Sequence, residues 1–258
     1  MDRGQDNLTA LKTLLAAGTG SLGGARPKAA IMNGERMAIA KFPHEGDDWN
    51  VIGWEGVTLE LAALAGINVP KHRLEAITGA PVLILERFDR HGEHHLGYAS
   101  AMTMLQESEG AHADYFDLLD VIDEQSDNPR ADRAELFRRI AFNIVVNNTD
   151  DHLRNHGFLR EGSGWRLAPA FDVNPSPGFA DERVTAVDGA VTRDAAMNRL
   201  MKSSGNFVDD DKRDEILARI SDAVSGWRSV ARTAGISASD QKLFAPLFDS
   251  RPDSYPLL

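Results

Sequence analysis

The chain contains no cysteine, so disulfide bonds and thiolate metal sites are excluded. This absence fits a reducing compartment. No apolar run approaches the roughly 18 residues that a membrane-spanning helix needs, and the first residues hold no apolar core long enough for a signal sequence. We therefore expect a cytoplasmic protein without membrane contacts.

Positive charge is also scarce. The 258 residues include 28 Lys and Arg against 39 Asp and Glu, which gives a net charge of −11. Neutralising the phosphates of DNA or of an anionic membrane requires Lys and Arg, so we expect no direct nucleic-acid binding. A nucleotide site needs only a few local cations and stays compatible with this composition. The length allows one large domain or two lobes.

A glycine-rich stretch follows a short predicted helix over 7–17. Residues 18–28, GTGSLGGARPK, contain four glycines and two cations. They fit a flexible surface loop, or a loop whose backbone N–H groups approach phosphate oxygens while Lys28 supplies charge. The stretch is not a Walker A loop, because no Lys-Ser or Lys-Thr pair follows the required glycine spacing.

The next residues predict a β-hairpin. Strands over 29–32 and 36–42 flank Asn33-Gly34, so the glycine-rich stretch leads into a strand rather than a helix. Lys41 lies near the end of the return strand, where a lysine is usually only an edge charge. A glycine-rich loop, a hairpin and a strand lysine nevertheless form the layout with which protein kinases hold ATP phosphates.

A helix is predicted over 54–65, with Trp54, Val57, Leu61, Leu64 and Ala65 on its apolar side. It carries two carboxylates, Glu55 and Glu60, and either could pair with the strand lysine or be solvated. Two more strands are expected over 68–77 and 81–88. The second is apolar until the charged segment Glu86-Arg87-Phe88-Asp89-Arg90, which suggests a hinge between lobes.

From about residue 98 the pattern becomes helical. Helices are predicted over 99–107, 115–124, 133–148, 195–203 and 211–234.

The polar stretch HGEHHLG, with His91, His94 and His95, is either a solvated loop or a metal cluster. We predict an α+β, two-lobed fold, with a small β-rich lobe over 1–92 and a larger all-helical lobe over 93–258.

The densest group of chemically capable side chains lies between residues 147 and 172. Asp150 and Asn155 are five residues apart, a hairpin is expected over 157–167, and Asp172 follows it. Phosphoryl transfer uses a carboxylate beside the attacking hydroxyl and oxygen ligands for magnesium, and a kinase catalytic loop has this Asp–Asn spacing. Two other interpretations stay open: Asp150 or Asp151 as a turn cap, and a metal-hydrolase site using His152 and His156.

Five motifs in order resemble HipA-type serine/threonine kinases, the toxins of bacterial toxin–antitoxin pairs, which have a two-lobed kinase-like fold. The motifs are Ser21-Leu22-Gly23-Gly24-Ala25-Arg26-Pro27-Lys28, Ala40-Lys41-Phe42-Pro43, Glu86-Arg87-Phe88-Asp89-Arg90, Thr149-Asp150-Asp151-His152-Leu153-Arg154-Asn155 and Phe171-Asp172-Val173. The resemblance covers nearly the whole chain.

By this resemblance the cofactors are ATP and Mg²⁺. Asp150 is the catalytic base, Asn155 and Asp172 hold Mg²⁺, and Ser21 is the autophosphorylated serine whose modification shuts the enzyme off. The residues expected to contact ATP are Gly23, Gly24, Ala25, Arg26, Lys28, Lys41, Glu86, Phe88 and His152.

The family also implies partners. They are a substrate among translation proteins such as an aminoacyl-tRNA synthetase, and a helix-turn-helix antitoxin. Family members carry an N-terminal subdomain ahead of the glycine-rich stretch, and it has no counterpart here. Three explanations stay open: the subdomain is a separate protein, the chain is truncated, or its start is placed too late. Asp151 replaces a glycine common in the family, which we expect to be a modest change beside the metal. The alternative function is a catalytically silent nucleotide-sensing or antitoxin-docking module.

Overall fold

The computed structural model describes residues 26–77, 79–91, 94–108, 110, 112–178 and 182–250. The predicted helix over 7–17 and most of the glycine-rich stretch, including Ser21, Gly23, Gly24 and Ala25, lie outside these residues. The elements up to residue 100 are β1 (Lys28–Asn33), β2 (Arg36–Lys41), α1 (Val51–Leu64), β3 (His72–Ile77), β4 (Ala80–Glu86), β5 (Arg90–His91), β6 (His94–His95) and β7 (Tyr98–Ser100).

The elements after residue 100 are mainly helices. They are α2 (Ala101–Met104), β8 (Ala113–Asp114), α3 (Tyr115–Gln125), α4 (Pro129–Val145), β9 (Gly157–Glu161), β10 (Gly164–Leu167), β11 (Thr185–Ala186), α5 (Arg193–Lys202), α6 (Asp210–Ser225), α7 (Trp227–Thr233) and α8 (Ala238–Asp249). Single 3-10 turns occur at Leu153–Asn155 and Ser204–Asn206.

A four-stranded antiparallel sheet, in the order β1-β2-β4-β3, confirms the predicted hairpin and both later strands. Asn33 pairs with Arg36, so the central residues of the turn are Gly34 and Glu35. Gly34 has a φ of +63°, as the first position of a primed hairpin turn requires.

Successive residues of β2 face opposite sides of this sheet. Ala38 and Ala40 join a small apolar cluster on one side. Ile39 and Lys41 line a cleft on the other side. The alternation therefore delivers Lys41 to the cleft.

The helix α1 packs between the sheet and the helices α6 and α7. Its N-cap Asn50 accepts a hydrogen bond from the Gly53 N–H at 2.8 Å. Burial extends around most of the helix, so that even Glu55 is only 2% exposed. The prediction for Leu64 was wrong, because this residue lies at the helix end and is 49% exposed.

One large apolar core joins α1 to the C-terminal helices. The Trp54 ring lies 4.2 Å from Phe244, 5.5 Å from Phe248 and 6.0 Å from Trp227, centroid to centroid. Burial of such rings is worth about 25 cal/mol per Å² of apolar surface, so this cluster contributes heavily to folding.

The α+β class is confirmed, but the part after residue 93 is not all-helical. It contains the predicted hairpin β9–β10, which β7 extends to three strands in the order β10-β9-β7. The helix predicted over 211–234 is interrupted at Gly226. The helix α8 was not predicted. In the polar stretch, His91 pairs with His94 between β5 and β6, so these residues form strands and not the predicted loop.

None of the helices in the described ranges is long and apolar enough to cross a lipid bilayer. The boundary between residues 92 and 93 remains a prediction.

Candidate active site

Lys41 is the centre of a buried ion-pair group. Its Nζ lies 2.6 Å from Glu55 Oε1 and 2.8 Å from Asp172 Oδ1. The lysine comes from β2, Glu55 from the second turn of α1, and Asp172 from the chain beyond the hairpin β9–β10. Burial alone would lower the pKa of Lys41, but attraction to both carboxylates outweighs burial and raises that pKa.

The two carboxylates respond differently to this environment. Burial raises the pKa of Glu55, against the opposing pull of Lys41. Burial has the same tendency at Asp172, but there Lys41 prevails and the pKa is lowered. Asp172 therefore keeps its negative charge at the cleft. Of the two candidate helix carboxylates, Glu55 binds the lysine, whereas Glu60 Oε2 lies 3.7 Å from His72 Nε2.

Asp172 adopts a left-handed backbone conformation with a φ of +59°. Asp is one of the few non-glycine residues that tolerate this region. The Asn174 amide donates a 3.1 Å hydrogen bond to Asp172 Oδ1, the atom that also accepts from Lys41. Both of these bonds use the same carboxylate oxygen, which fixes the orientation of the Asp172 side chain.

The predicted catalytic loop after α4 is confirmed as a loop that ends in a 3-10 turn. Asp150 is exposed, whereas Asn155 is 7% exposed. The Asn155 side-chain amide donates to the Asp150 carbonyl at 3.2 Å, which fixes the amide and leaves its Oδ1 as an acceptor. Asn155 borders a small gap that Phe171 and Val173 also line, one residue on either side of Asp172.

Asp151 has a structural role that differs from the expected change beside a metal. Its carboxylate points into the interior and accepts hydrogen bonds from the Tyr115 hydroxyl, from Asn143 Nδ2 at 2.7 Å and from His156 Nε2 at 3.0 Å. Burial acts to raise the pKa of Asp151, but His156 and the other donors outweigh it and lower the pKa. A glycine could not fix the loop in this way.

The histidines do not form the alternative metal-hydrolase site. His156 is buried, with its ring edge-on to Tyr115 and bonded to Asp151. His152 is half-buried, and its Nδ1 has no hydrogen-bond partner among the described residues. No group of three or more His, Asp or Glu in the described ranges is arranged to hold a metal.

A cleft of about 290 Å³ opens beside Lys41. This volume is at the lower end for small-molecule sites. Its described walls are Lys28, Ile39, Lys41, Pro70, Leu85, Glu86, Arg87, Phe88, Asp89, Tyr98, Phe171 and Asp172. Four predicted ATP contacts, Lys28, Lys41, Glu86 and Phe88, are thus brought together with Asp172. Asp150, His152 and Asn155 are not among these wall residues.

Aromatic rings form one end of the cleft. Phe88 lies 5.9 Å from Phe171 and 6.3 Å from Tyr98, centroid to centroid. Tyr98 occupies space that only a glycine at position 157 leaves open, because a Cβ there would lie 2.4 Å from Tyr98 Cε2. Such a surface can receive a flat heterocycle.

Only the last residues of the glycine-rich stretch are described. Lys28 pairs with Lys41 across the hairpin and lines the cleft. Burial, and next the charge of Lys41, lower the pKa of Lys28. Arg26 is bound to Asp47 at 2.9 Å and is not among the described wall residues.

The segment after Asp172 is fastened to the loop that carries Asp150. The Val184 N–H donates to the Thr149 carbonyl at 3.0 Å, and the Thr185 hydroxyl donates to the Asp151 carbonyl at 2.5 Å. Buried Arg183 reaches the end of α4. Sequence reasoning missed this role, since its partners are backbone carbonyls that every residue carries.

A strand lysine bound both to a helix carboxylate and to an acid beyond a hairpin, on a sheet-and-helix fold, defines the protein-kinase-like class. A model of the HipA-like C-terminal domain matches residues 20–227. The chain belongs to this HipA-like C-terminal domain family.

Similar proteins agree with this assignment. Y4mE of Sinorhizobium fredii, named as an inferred kinase, is 28% identical over 155 residues. The match covers 55% of this chain and 35% of Y4mE, so this chain spans about a third of that relative.

Two solved structures share the fold. The Shewanella oneidensis HipA, in a toxin–antitoxin complex with HipB and operator DNA, matches with a TM-score of 0.69 at 18% identity, over 89% of this chain and 62% of the other. The Helicobacter pylori proinflammatory kinase CtkA matches with a TM-score of 0.67 at 17% identity, over 88% of each chain. At these identities the likeness concerns the fold alone.

Proposed function

We propose that this chain is an ATP- and Mg²⁺-dependent kinase that phosphorylates serine or threonine hydroxyls of a protein. The observation that carries the proposal is that Lys41 bridges Glu55 and Asp172, at 2.6 and 2.8 Å, beside a cleft of about 290 Å³. In protein kinases a lysine–glutamate pair and a metal-binding aspartate must both be in place for transfer.

The proposal assigns roles to the predicted site residues, of which Lys28, Lys41, Glu86 and Phe88 line the cleft. Lys41 and Lys28 bind the phosphates, while Phe88 and the backbone from Glu86 to Phe88 receive the adenine. The exposed Asp150 accepts the proton of the attacking hydroxyl as that oxygen bonds to the γ-phosphorus and ADP departs. His152, from the loop that carries Asp150, and the glycine-rich stretch would also contact the phosphates.

Asn155 and Asp172 fit a magnesium ion. Both side chains offer oxygen donors: Asn155 bonds to the Asp150 carbonyl through its Nδ2, and Lys41 and Asn174 bond to Oδ1 of Asp172. Mg²⁺ prefers oxygen ligands and is commonly held by one or two side chains together with nucleotide phosphates and water. When bound, it would neutralise charge on the transferred phosphoryl group.

The biological setting is part of the proposal. HipA relatives suggest a cytoplasmic toxin-type kinase with a HipB-like helix-turn-helix antitoxin as partner, and an aminoacyl-tRNA synthetase as a candidate substrate. Phosphorylation of Ser21 would place a dianion where ATP phosphates belong, which supports a self-limiting role.

Transfer from Mg-ATP tests the proposal. The unaltered chain should label itself, with phosphate found on Ser21 by mass spectrometry, or label an added synthetase. Asp150→Asn should lower transfer by at least about 100-fold while ATP binding persists. Asp222→Asn, an exposed aspartate on α6, is the matched control and should retain full transfer.

Thermal shifts separate the alternatives. A silent module would be stabilised by ATP yet transfer nothing, and that result for the unaltered chain would contradict the kinase proposal. A hydrolase built on His152 and His156 would be stabilised by Zn²⁺ without ATP.

A further inference from the structure

Arg183 is a buried cation at the junction between the catalytic loop and the segment that follows Asp172. It is 5% exposed. Its Nη1 donates to the Asn148 carbonyl at 2.9 Å and to the Asn143 carbonyl at 3.3 Å, and its Nη2 lies 3.4 Å from the Ile144 carbonyl. The bond to Asn148 is the strongest of these by distance.

The end of α4 explains why a cation is stable there. The last four carbonyls of a helix lack intrahelical donors, and the helix dipole makes this end negative. Arginine offers five N–H donors in a rigid fork and can serve several carbonyls at once. Asp151, itself buried, also attracts Arg183 electrostatically.

The loop that bears Asp150 also donates hydrogen bonds to the segment that follows Asp172. Asn147, buried and left-handed with a φ of +51°, donates through Nδ2 to the carbonyls of Ser176 at 3.1 Å and Gly178 at 2.7 Å. The Ser176 N–H returns a 3.0 Å bond to the Asn147 carbonyl. Asn147 and Asn148 stand immediately before Thr149 and Asp150 in the chain.

We propose that Arg183 is a positioning residue, which fixes the backbone of the loop bearing Asp150 by binding it to the segment that follows Asp172. This inference rests on the proposed kinase function. It predicts that loss of the Arg183 guanidinium lowers the rate of phosphoryl transfer more than the affinity for the nucleotide. Lys41 and the cleft walls make none of the contacts of Arg183.

Arg193 provides a matched control. It is also a partly buried arginine at the end of α4, where its Nε and Nη2 donate to the carbonyls of Ile144 at 3.1 Å and Val145 at 2.9 Å. These carbonyls precede the loop. Arg193→Met should therefore remove a comparable helix cap without displacing Asp150.

The test measures kcat and KM for ATP in the full chain. Arg183→Met should lower kcat by about 100-fold, the effect of displacing a reacting group by roughly 1 Å, with KM for ATP within threefold. Arg183→Lys, which keeps the charge but lacks the planar fork of donors, should restore only part of kcat. Arg193→Met should lose similar thermal stability and keep kcat within twofold. Equal kcat in the two methionine variants would overturn the inference.

A second variant covers a failure of Arg183→Met to fold. Asn147→Gly keeps a residue suited to a positive φ but removes the two side-chain bonds to the carbonyls of Ser176 and Gly178. It should lower kcat with KM for ATP nearly unchanged. An unaltered kcat would contradict the inference.

Hydrogen exchange separates this inference from the kinase proposal. If the unaltered chain transfers no phosphate, the proposed function is contradicted. The role of Arg183 in fixing the loop is then tested by hydrogen exchange alone. Arg183→Met should speed exchange at the amides of Ser176 and Val184, and Arg193→Met should not. Unchanged exchange at both amides in Arg183→Met would overturn the anchoring.

Discussion

The ring of Phe244 in α8 lies 4.2 Å from the indole of Trp54, the residue next to Glu55. A helix near the end of the described chain therefore supports the carboxylate that binds Lys41. Because both rings are fully buried, α1 cannot move away from α8 without opening the core. The Lys41–Glu55 pair is thus held by packing as well as by charge.

Phe244→Ala should destabilise the protein by about 3–5 kcal/mol, the usual cost of emptying a buried phenylalanine site. It should also weaken ATP binding, because α1 loses its support. Urea unfolding and ATP titration measure the two effects. Phe207→Ala, at a buried ring packed against Phe137, should cost similar stability with ATP affinity unchanged; equal affinity in both variants would contradict the coupling.

Lys41→Met should destabilise the chain even without nucleotide. It leaves the 2%-exposed carboxylate of Glu55 without its cation, and breaking a buried pair from one side typically costs about 3–5 kcal/mol. Adding Glu55→Gln removes the stranded charge and should recover part of the loss. Urea midpoints of the single and double variants measure this, and no recovery would argue against the pair.

Gly157→Ala should reduce nucleotide affinity. A Cβ at this position would lie 2.4 Å from Tyr98 Cε2, so the ring must move into the cleft it now lines. Tyr98→Ala in the same background removes the obstruction. Isothermal titration with ATP should find the double variant tighter than Gly157→Ala alone, whereas additive losses would show that the ring was not displaced.

Asp151 should contribute to the acid limb of the stability curve. Its pKa is lowered in the folded state, so its stabilising contribution is complete above the unfolded value near 4 and is lost as pH falls through the folded value. Asp151→Asn should therefore lower stability at pH 7 by more than at pH 3. Urea unfolding midpoints of the unaltered chain and of Asp151→Asn, measured from pH 3 to pH 7, test this, with the exposed Asp222→Asn as control. If the Asp151 carboxylate were not ionised, the variant would lose the same stability at every pH.

Local patterns predicted much of the first part of the fold. The hairpin β1–β2 and the apolar strand β4 follow from turn chemistry and hydrophobic runs. The choice between Glu55 and Glu60 did not follow, because both belong to one helix. At about 100° per residue, positions five apart point roughly 140° away from each other, so only packing decided which of them faces Lys41.

Contacts between distant residues were less accessible. Lys41 and Asp172 are 131 positions apart, and only the family resemblance placed them in one site. Arg183 had no such guide. The helix α8 was missed although Ser237 caps it by accepting from the Asp240 N–H at 3.1 Å, and Phe244, Leu247 and Phe248 are buried at helical spacing.

The turn at Gly34 and Glu35 has a consequence for the chemistry of the cleft. It sets the pairing of β1 with β2, and a strand shifted by one residue exchanges its two faces. One inserted residue in that turn would bring Ala40 to the cleft and bury the ammonium group of Lys41 among Ala29, Val82 and Ile84. The tight turn at the far end of the strand therefore decides which residue of β2 brings a cation to the cleft. A change in the length of that turn would alter the candidate site as directly as a substitution of Lys41.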